Sequence, residues 1–120
     1  MKAKFGALQI GIILLTLVTA VVHLILLNQT MIRLTGRIDP LFTLNGLGYL
    51  GLLIVYFLPV PIASNNRGLL RRVFIGYTAL TILAWVAMGS KSGPGAALGY
   101  ITKVDELALI GLLWLDRQPR

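Results

Sequence analysis

Ile101-Thr102-Lys103-Val104-Asp105-Glu106-Leu107-Ala108-Leu109-Ile110-Gly111-Leu112-Leu113-Trp114-Leu115 closes an apolar run that opens at Ala96. At about 1.5 Å per residue, a helix over 96–115 reaches about 30 Å, the thickness of a bilayer's hydrocarbon core. Glu106 falls near its midpoint. A charge at bilayer centre costs about 2.5–3.5 kcal/mol on insertion scales. About nine aliphatic residues at about −0.5 kcal/mol each do not offset three charges at about +3. The segment therefore needs other helices, or a partner protein, to receive its charged groups. On the helical wheel Tyr100, Lys103 and Glu106 share a face, and Lys103 can pair with Glu106 three residues on. Asp105 lies about 200° around the helix from Lys103. It needs another partner: His23, Asn45 or a group from another chain.

Three further apolar segments precede this one, at 5–27, 41–63 and 69–88. The 120 residues are 57% hydrophobic and 12% charged, with mean hydropathy +0.84. A soluble domain averages about 25% charged residues. The apolar residues come in blocks, which excludes the alternating strands of a membrane β-barrel. These features predict an all-α protein: one integral membrane domain over 1–120, a transmembrane four-helix bundle with spans 5–27, 41–63, 69–88 and 96–115. The connections 64–68 and 89–95 are rich in Ser, Asn, Gly and Pro, as turns require. Pro59 and Pro61 stop or kink the second span.

The net charge of +7 and pI near 10.4 would point to nucleic acid in a soluble protein. Here all basic residues except Lys103 lie in tails, loops or span ends, which reads as a lipid-facing basic fringe and no nucleic-acid partner. With Cys 0 and His 1, thiolate chemistry is absent and a self-contained zinc site is not expected. Lys2 and Lys4 before an apolar run resemble a signal peptide. The run continues to Leu27, too long for that, so we read an uncleaved first span.

Lys and Arg at the span ends set orientation. With the N-terminus in the cytoplasm, the inside holds Lys2, Lys4, Arg67, Arg71, Arg72, Arg117 and Arg120, and the outside Arg33, Arg37 and Lys91. This predicts an N-in/C-in protein of the plasma or inner membrane. Tyr56 and Trp114 then suit an inner aromatic belt; Phe42, Trp85 and Tyr100 suit an outer one. His23 and Asn45 lie about 6 Å from the outer ends of their spans, Lys103 about 10 Å and Glu106 about 15 Å, with Thr81 at similar depth. The polar groups thus meet in the outer half as a polar intramembrane cluster of His23, Asn45, Lys103, Asp105 and Glu106. The inner half reads as nearly all aliphatic.

Gly46-Leu47-Gly48-Tyr49-Leu50-Gly51 matches a dinucleotide fingerprint letter for letter. It lies within a span, with Arg71 where an acidic residue belongs, and is rejected. Gly46, Gly48 and Gly51 read as helix-packing positions, with Gly48 and Gly51 on one face. No Ser/His/acid spacing argues hydrolysis, so no catalytic residue is assigned and no enzyme is expected.

The arrangement resembles the small, uncharacterised four-span membrane proteins of bacteria and archaea. The likeness rests on His23, Leu44-Asn45-Gly46-Leu47-Gly48-Tyr49-Leu50 and Tyr100-Ile101-Thr102-Lys103-Val104-Asp105-Glu106. It implies a fold and no activity. Three functions stay open. The first is an accessory or structural subunit of a larger membrane complex. The second is a small oligomeric transporter or proton/ion pathway through Glu106, Asp105, Lys103 and His23. The third is a haem- or chlorophyll-binding protein with His23 as axial ligand; no cofactor is otherwise implied. The bilayer is the first partner, and other membrane subunits or further copies the next.

Overall fold

A computed structural model describes residues 6–89, 91–93 and 96–116. Lys2, Lys4, Arg117 and Arg120 of the charge count, Phe5, and Ser90, Pro94 and Gly95 of the last turn lie outside the described residues. Among those described, every regular element is a helix: α1 Ala7–Thr35, α2 Pro40–Phe57, a one-turn α3 Pro61–Ser64, α4 Arg67–Met88 and α5 Ala96–Leu115.

Local chemistry sets the bounds. α1 runs past the expected end at Leu27 to Thr35, because nothing breaks it before Gly36. That glycine adopts φ 77°, the left-handed stop that glycine tolerates. Asp39 caps α2, accepting from the amides of Leu41 (2.8 Å) and Phe42 (3.1 Å), and Pro40 occupies the first turn. The expected second span to Ala63 is corrected: α2 ends at Phe57. Leu58 precedes Pro59 and is extended, as the proline ring demands. Ala63 belongs to α3 instead. α4 begins two residues before the expected Leu69, and α5 keeps the expected bounds.

The four long helices alternate in direction. α1 packs on α5 and α2, and α4 packs on the same two, within extents of 50 × 22 × 22 Å. The upper end holds Thr35, Pro40, Met88 and Ala96; the lower end holds Ala7, Phe57, Arg67 and Leu115. Three helices, Ala7–Thr35, Pro40–Phe57 and Arg67–Met88, are long and apolar enough to cross a membrane. α5 has 20 residues but carries Lys103, Asp105 and Glu106. The core joins Ile12, Ala20, Tyr49, Tyr56, Phe74, Leu109 and Leu113. Its rings meet edge to face, Tyr49 on Tyr77 at 4.9 Å and Tyr56 on Phe74 at 5.9 Å. Tyr56 is therefore a core residue and not part of an aromatic belt. The outward faces carry Leu14, Leu44, Ile54, Leu80 and Leu107, each more than half exposed.

Two of the expected packing glycines sit where helices meet. A Cβ on Gly46 would lie 2.5 Å from Leu24 Cγ and 3.1 Å from the Ala20 carbonyl oxygen of α1. Gly48 lies under the Tyr77 hydroxyl of α4. Gly51 does not pack: its step from Gly48 carries it around α2 to open space. Gly46→Val should therefore lower stability by about 1–3 kcal/mol through overpacking. Gly51→Ala should leave it unchanged or raise it by up to about 1 kcal/mol through helix propensity. Thermal unfolding in detergent, followed by circular dichroism, reads both. Equal losses at the two positions would contradict this packing.

Candidate functional site

Glu106 is fully buried and forms the hub of the polar cluster. Lys103 Nζ donates to its Oε1 at 2.5 Å, one turn away on the same helix. Oε2 accepts from Thr19 Oγ1 of α1 (2.8 Å) and from the Tyr49 hydroxyl of α2 (2.9 Å). One carboxylate thus gathers three donors from three helices. A buried ion pair is held only when its remaining hydrogen-bonding capacity is met.

His23 sits one turn above Thr19, within a π-helical segment, Val22–Leu26, that widens α1. Such bulges insert one residue into the ladder and re-aim side chains. Its Nδ1 lies 2.8 Å from the Thr19 carbonyl, a group that only accepts, so Nδ1 carries a proton. Nδ1 is also 3.2 Å from Thr19 Oγ1. The imidazole is 4% exposed and wedged between Phe42 and Tyr49, each 6.1 Å away centre to centre. Nε2 has no hydrogen-bond partner among the described residues.

Asn45 ties α2 to α4. Its Oδ1 accepts from Thr81 Oγ1 (3.1 Å), and its backbone oxygen accepts from the Tyr77 hydroxyl (2.7 Å). Asn45, Thr81, His23 and Lys103 line one cleft of about 790 Å³ in the upper half, to which all four long helices contribute. Leu41, Leu44, Leu80, Met88, Tyr77 and Gly48 also line it. The cluster drawn from the sequence is thus largely one place: His23, Asn45 and Lys103 on the cleft wall, Glu106 behind Lys103.

Asp105 stands apart. Neither His23 nor Asn45 is its partner: their bonds run to Thr19, Thr81 and Tyr77. The carboxyl is half-buried, and its Oδ2 is buried without a hydrogen bond. Tyr100 leaves the Lys103–Glu106 face too. Steps of three drift about 60° each around a helix; the ring is 47% exposed and its hydroxyl reaches the Lys91 carbonyl at 3.1 Å.

The lower half is not purely aliphatic, which corrects the reading from composition. Asp116, just past α5, is 2% exposed. It accepts from Gln9 Nε2 of α1 (2.9 Å) and from the Tyr56 hydroxyl of α2 (2.5 Å). The pattern repeats that of Glu106: a carboxylate on the α5 side, one polar residue of α1, one tyrosine of α2. Sequence reasoning missed Thr19, Tyr49, Gln9, Tyr56 and Asp116. The available signal was a spacing, ten residues separating both Gln9 from Thr19 and Glu106 from Asp116 in antiparallel helices. Between the two levels, Ile12, Phe74, Leu109 and Leu113 are each fully buried. No group of three His, Cys, Asp or Glu that could hold a metal occurs among the described residues.

Lys91 and Arg71 finish helix ends. Lys91 Nζ donates to the carbonyls of Trp85, Val86 and Gly89 at 2.7–2.9 Å and lies over the Trp85 ring. Arg71 reaches the carbonyls of Leu113 and Trp114 at 3.4 Å, so it caps α5.

Removing one partner of a buried pair costs about 3–5 kcal/mol, whereas replacing both with apolar groups is often neutral. Glu106→Leu should therefore destabilise strongly, and Lys103→Met with Glu106→Leu should recover most of the loss. Tyr49→Phe should cost about 1 kcal/mol, one hydrogen bond of three. Denaturation of the wild type, both single variants Lys103→Met and Glu106→Leu, the double variant and Tyr49→Phe in one detergent gives the cycle and the hydrogen bond; a double variant weaker than Glu106→Leu alone would contradict the pairing.

A family model described as a family of unknown function, DUF7475, matches residues 4–114. No curated protein and no solved structure matches the chain.

Proposed function

The chain belongs to the DUF7475 family of unknown function, and from that premise we propose a multi-pass protein of the plasma or inner membrane, with four spans and both termini cytoplasmic, that serves as a non-catalytic accessory subunit of a larger membrane assembly. Three helices of spanning length support the membrane location, as do outward faces lined with leucine, isoleucine and valine. In water such faces would be an aggregation surface. α5 becomes the fourth span because its charges are received by the other helices: Glu106 brings Lys103 to Thr19 and Tyr49 instead of to lipid. Arg67, Arg71 and Arg72 at the lower end, together with Lys2, Lys4, Arg117 and Arg120 in the sequence, support a cytoplasmic lower end.

The observation that carries the subunit reading is Asp105. It lies on α5 beside Ile101 and Val104, which are 62% and 67% exposed, and its buried Oδ2 has no hydrogen bond among the described residues. A carboxyl at lipid depth without a donor is costly. A donor from a neighbouring span removes that cost. Conduction through a single chain is less well supported, since the buried layer of Ile12, Phe74, Leu109 and Leu113 separates the upper polar level from the lower one.

Carbonate washing of native membranes should leave the chain in the pellet, and a reporter fused after Arg120 should be active only in the cytoplasm. Gentle purification from the native membrane should return a defined heteromeric complex, and Asp105→Leu should release the chain from it with its own melting temperature preserved. Release by carbonate would overturn the membrane location. A monodisperse monomer from native membranes would overturn the subunit role.

A further inference from the structure

The upper cleft is built from two kinds of surface. Most of its surface is apolar, aliphatic and aromatic, with Leu41 at 68% and Leu44 at 65% exposed on α2 and Leu80 at 66% on α4, and Thr30, Asp39 and Thr102 also line it. The three leucines continue the outward faces of α2 and α4, which puts the cleft within reach of lipid from the side; α1 and α5 supply the rest of its lining. Its volume of about 790 Å³ falls in the range of about 300–1,000 Å³ typical of small-molecule sites. The deep end is polar and well fixed. Lys103 Nζ is held by Glu106, His23 is oriented by its Nδ1 bond to the Thr19 carbonyl, and Asn45 is oriented by Thr81. Among the described residues, three hydrogen-bonding positions on these side chains have no partner: the spare N–H bonds of Lys103, the Asn45 amide N–H, and His23 Nε2, a bare acceptor in the neutral ring.

We propose that this cleft binds a neutral lipophile that enters sideways and whose head carries a hydroxyl and a carbonyl oxygen. The aliphatic wall selects the tail. Lys103 and Asn45 donate to the carbonyl oxygen, and His23 Nε2 accepts from the hydroxyl. The charge state of the deep end selects against ions. The Lys103 ammonium is already neutralised by Glu106 at 2.5 Å, so an anionic head gains no net attraction there and still has to leave water. A neutral head makes the same hydrogen bonds at lower desolvation cost. This site rests on the proposed membrane location but is independent of any partner at Asp105.

Trp85 lines the cleft, and Trp114, at the opposite end, is the second of the chain's two tryptophans. Trp114→Phe and Trp85→Phe thus give single-tryptophan proteins with one probe in the cleft and one on the lower surface. The probes are a monoacylglycerol with a dibrominated stearoyl chain and the corresponding free fatty acid, titrated into purified protein in detergent. The monoacylglycerol should quench Trp85 saturably and at least threefold more strongly at low mole fraction than Trp114, with the fatty acid at least threefold weaker. Ala84→Phe, which fills the wall, should abolish the saturable phase. Asn45→Leu, which keeps the volume and removes the amide, should weaken it at least threefold, in protein whose melting temperature shows it folded. Equal quenching of the two tryptophans, or a saturable phase that survives both substitutions, would overturn the site. Fatty acid binding as tightly as monoacylglycerol would overturn the neutral head. Carbonate release of the chain from membranes bears on its location instead, so the two failures are distinct.

Discussion

Everything in this fold depends on satisfying two buried carboxylates. Glu106 and Asp116 lie on one helix and just beyond it, at two heights in the bundle. Each accepts from one residue of α1 and one tyrosine of α2. An unpaired carboxylate among aliphatic side chains is worth several kcal/mol of instability. The two clasps therefore fix the vertical register of α5 against α1 and α2, which apolar contacts alone leave free to slide. Leucine against leucine is nearly indifferent to a one-turn shift; a tyrosine hydroxyl at 2.9 Å from one oxygen is not.

The same register explains where the helices meet. α2 approaches α1 closely at Gly46 and α4 at Gly48, and Asn45, Tyr77 and Thr81 latch α2 to α4 at that height. The cleft lies beside this latch, with Asn45, Tyr77 and Thr81 among its lining. The π-helical segment at His23 faces this space. The extra residue turns the imidazole inward between Phe42 and Tyr49, so its ring joins the cleft wall while one nitrogen stays tied to its own helix. A structural lock below and a shaped, partly polar opening above are two outcomes of one packing arrangement.

Asp105 marks the limit of self-sufficiency. Its neighbour Glu106 is satisfied three times over, whereas Asp105, one step around the helix, has no donor to its buried Oδ2 among the described residues. Adjacent residues on a helix point about 100° apart, so one faces the clasp and the other the outside seam. The contrast within a single turn gives that edge of α5 its chemical identity among otherwise aliphatic surfaces.

Much of this was legible in the residues. Block hydrophobicity gave an all-helical chain with long apolar helices, the Gly- and Pro-rich turn before Ala96 gave α5 its start, and spacing by three gave the Lys103–Glu106 pair. These depend on local periodicity and local sterics, which the sequence carries in full. The extension of α1 to Thr35 was hidden because its last turns are polar and resemble a loop, while Leu58 before Pro59 ended α2 earlier than its apolar run. Tyr49, Tyr56, Thr19 and Gln9 read as ordinary core or interface residues. Their hydroxyls and amide gain meaning only when a carboxylate 57 to 107 positions away arrives beside them. By itself the sequence determined which segments are helices and which charges must be buried together. Only the tertiary structure decided what receives them, because hydrogen bonds between helices depend on the rotation and height of each helix, and no local pattern encodes either.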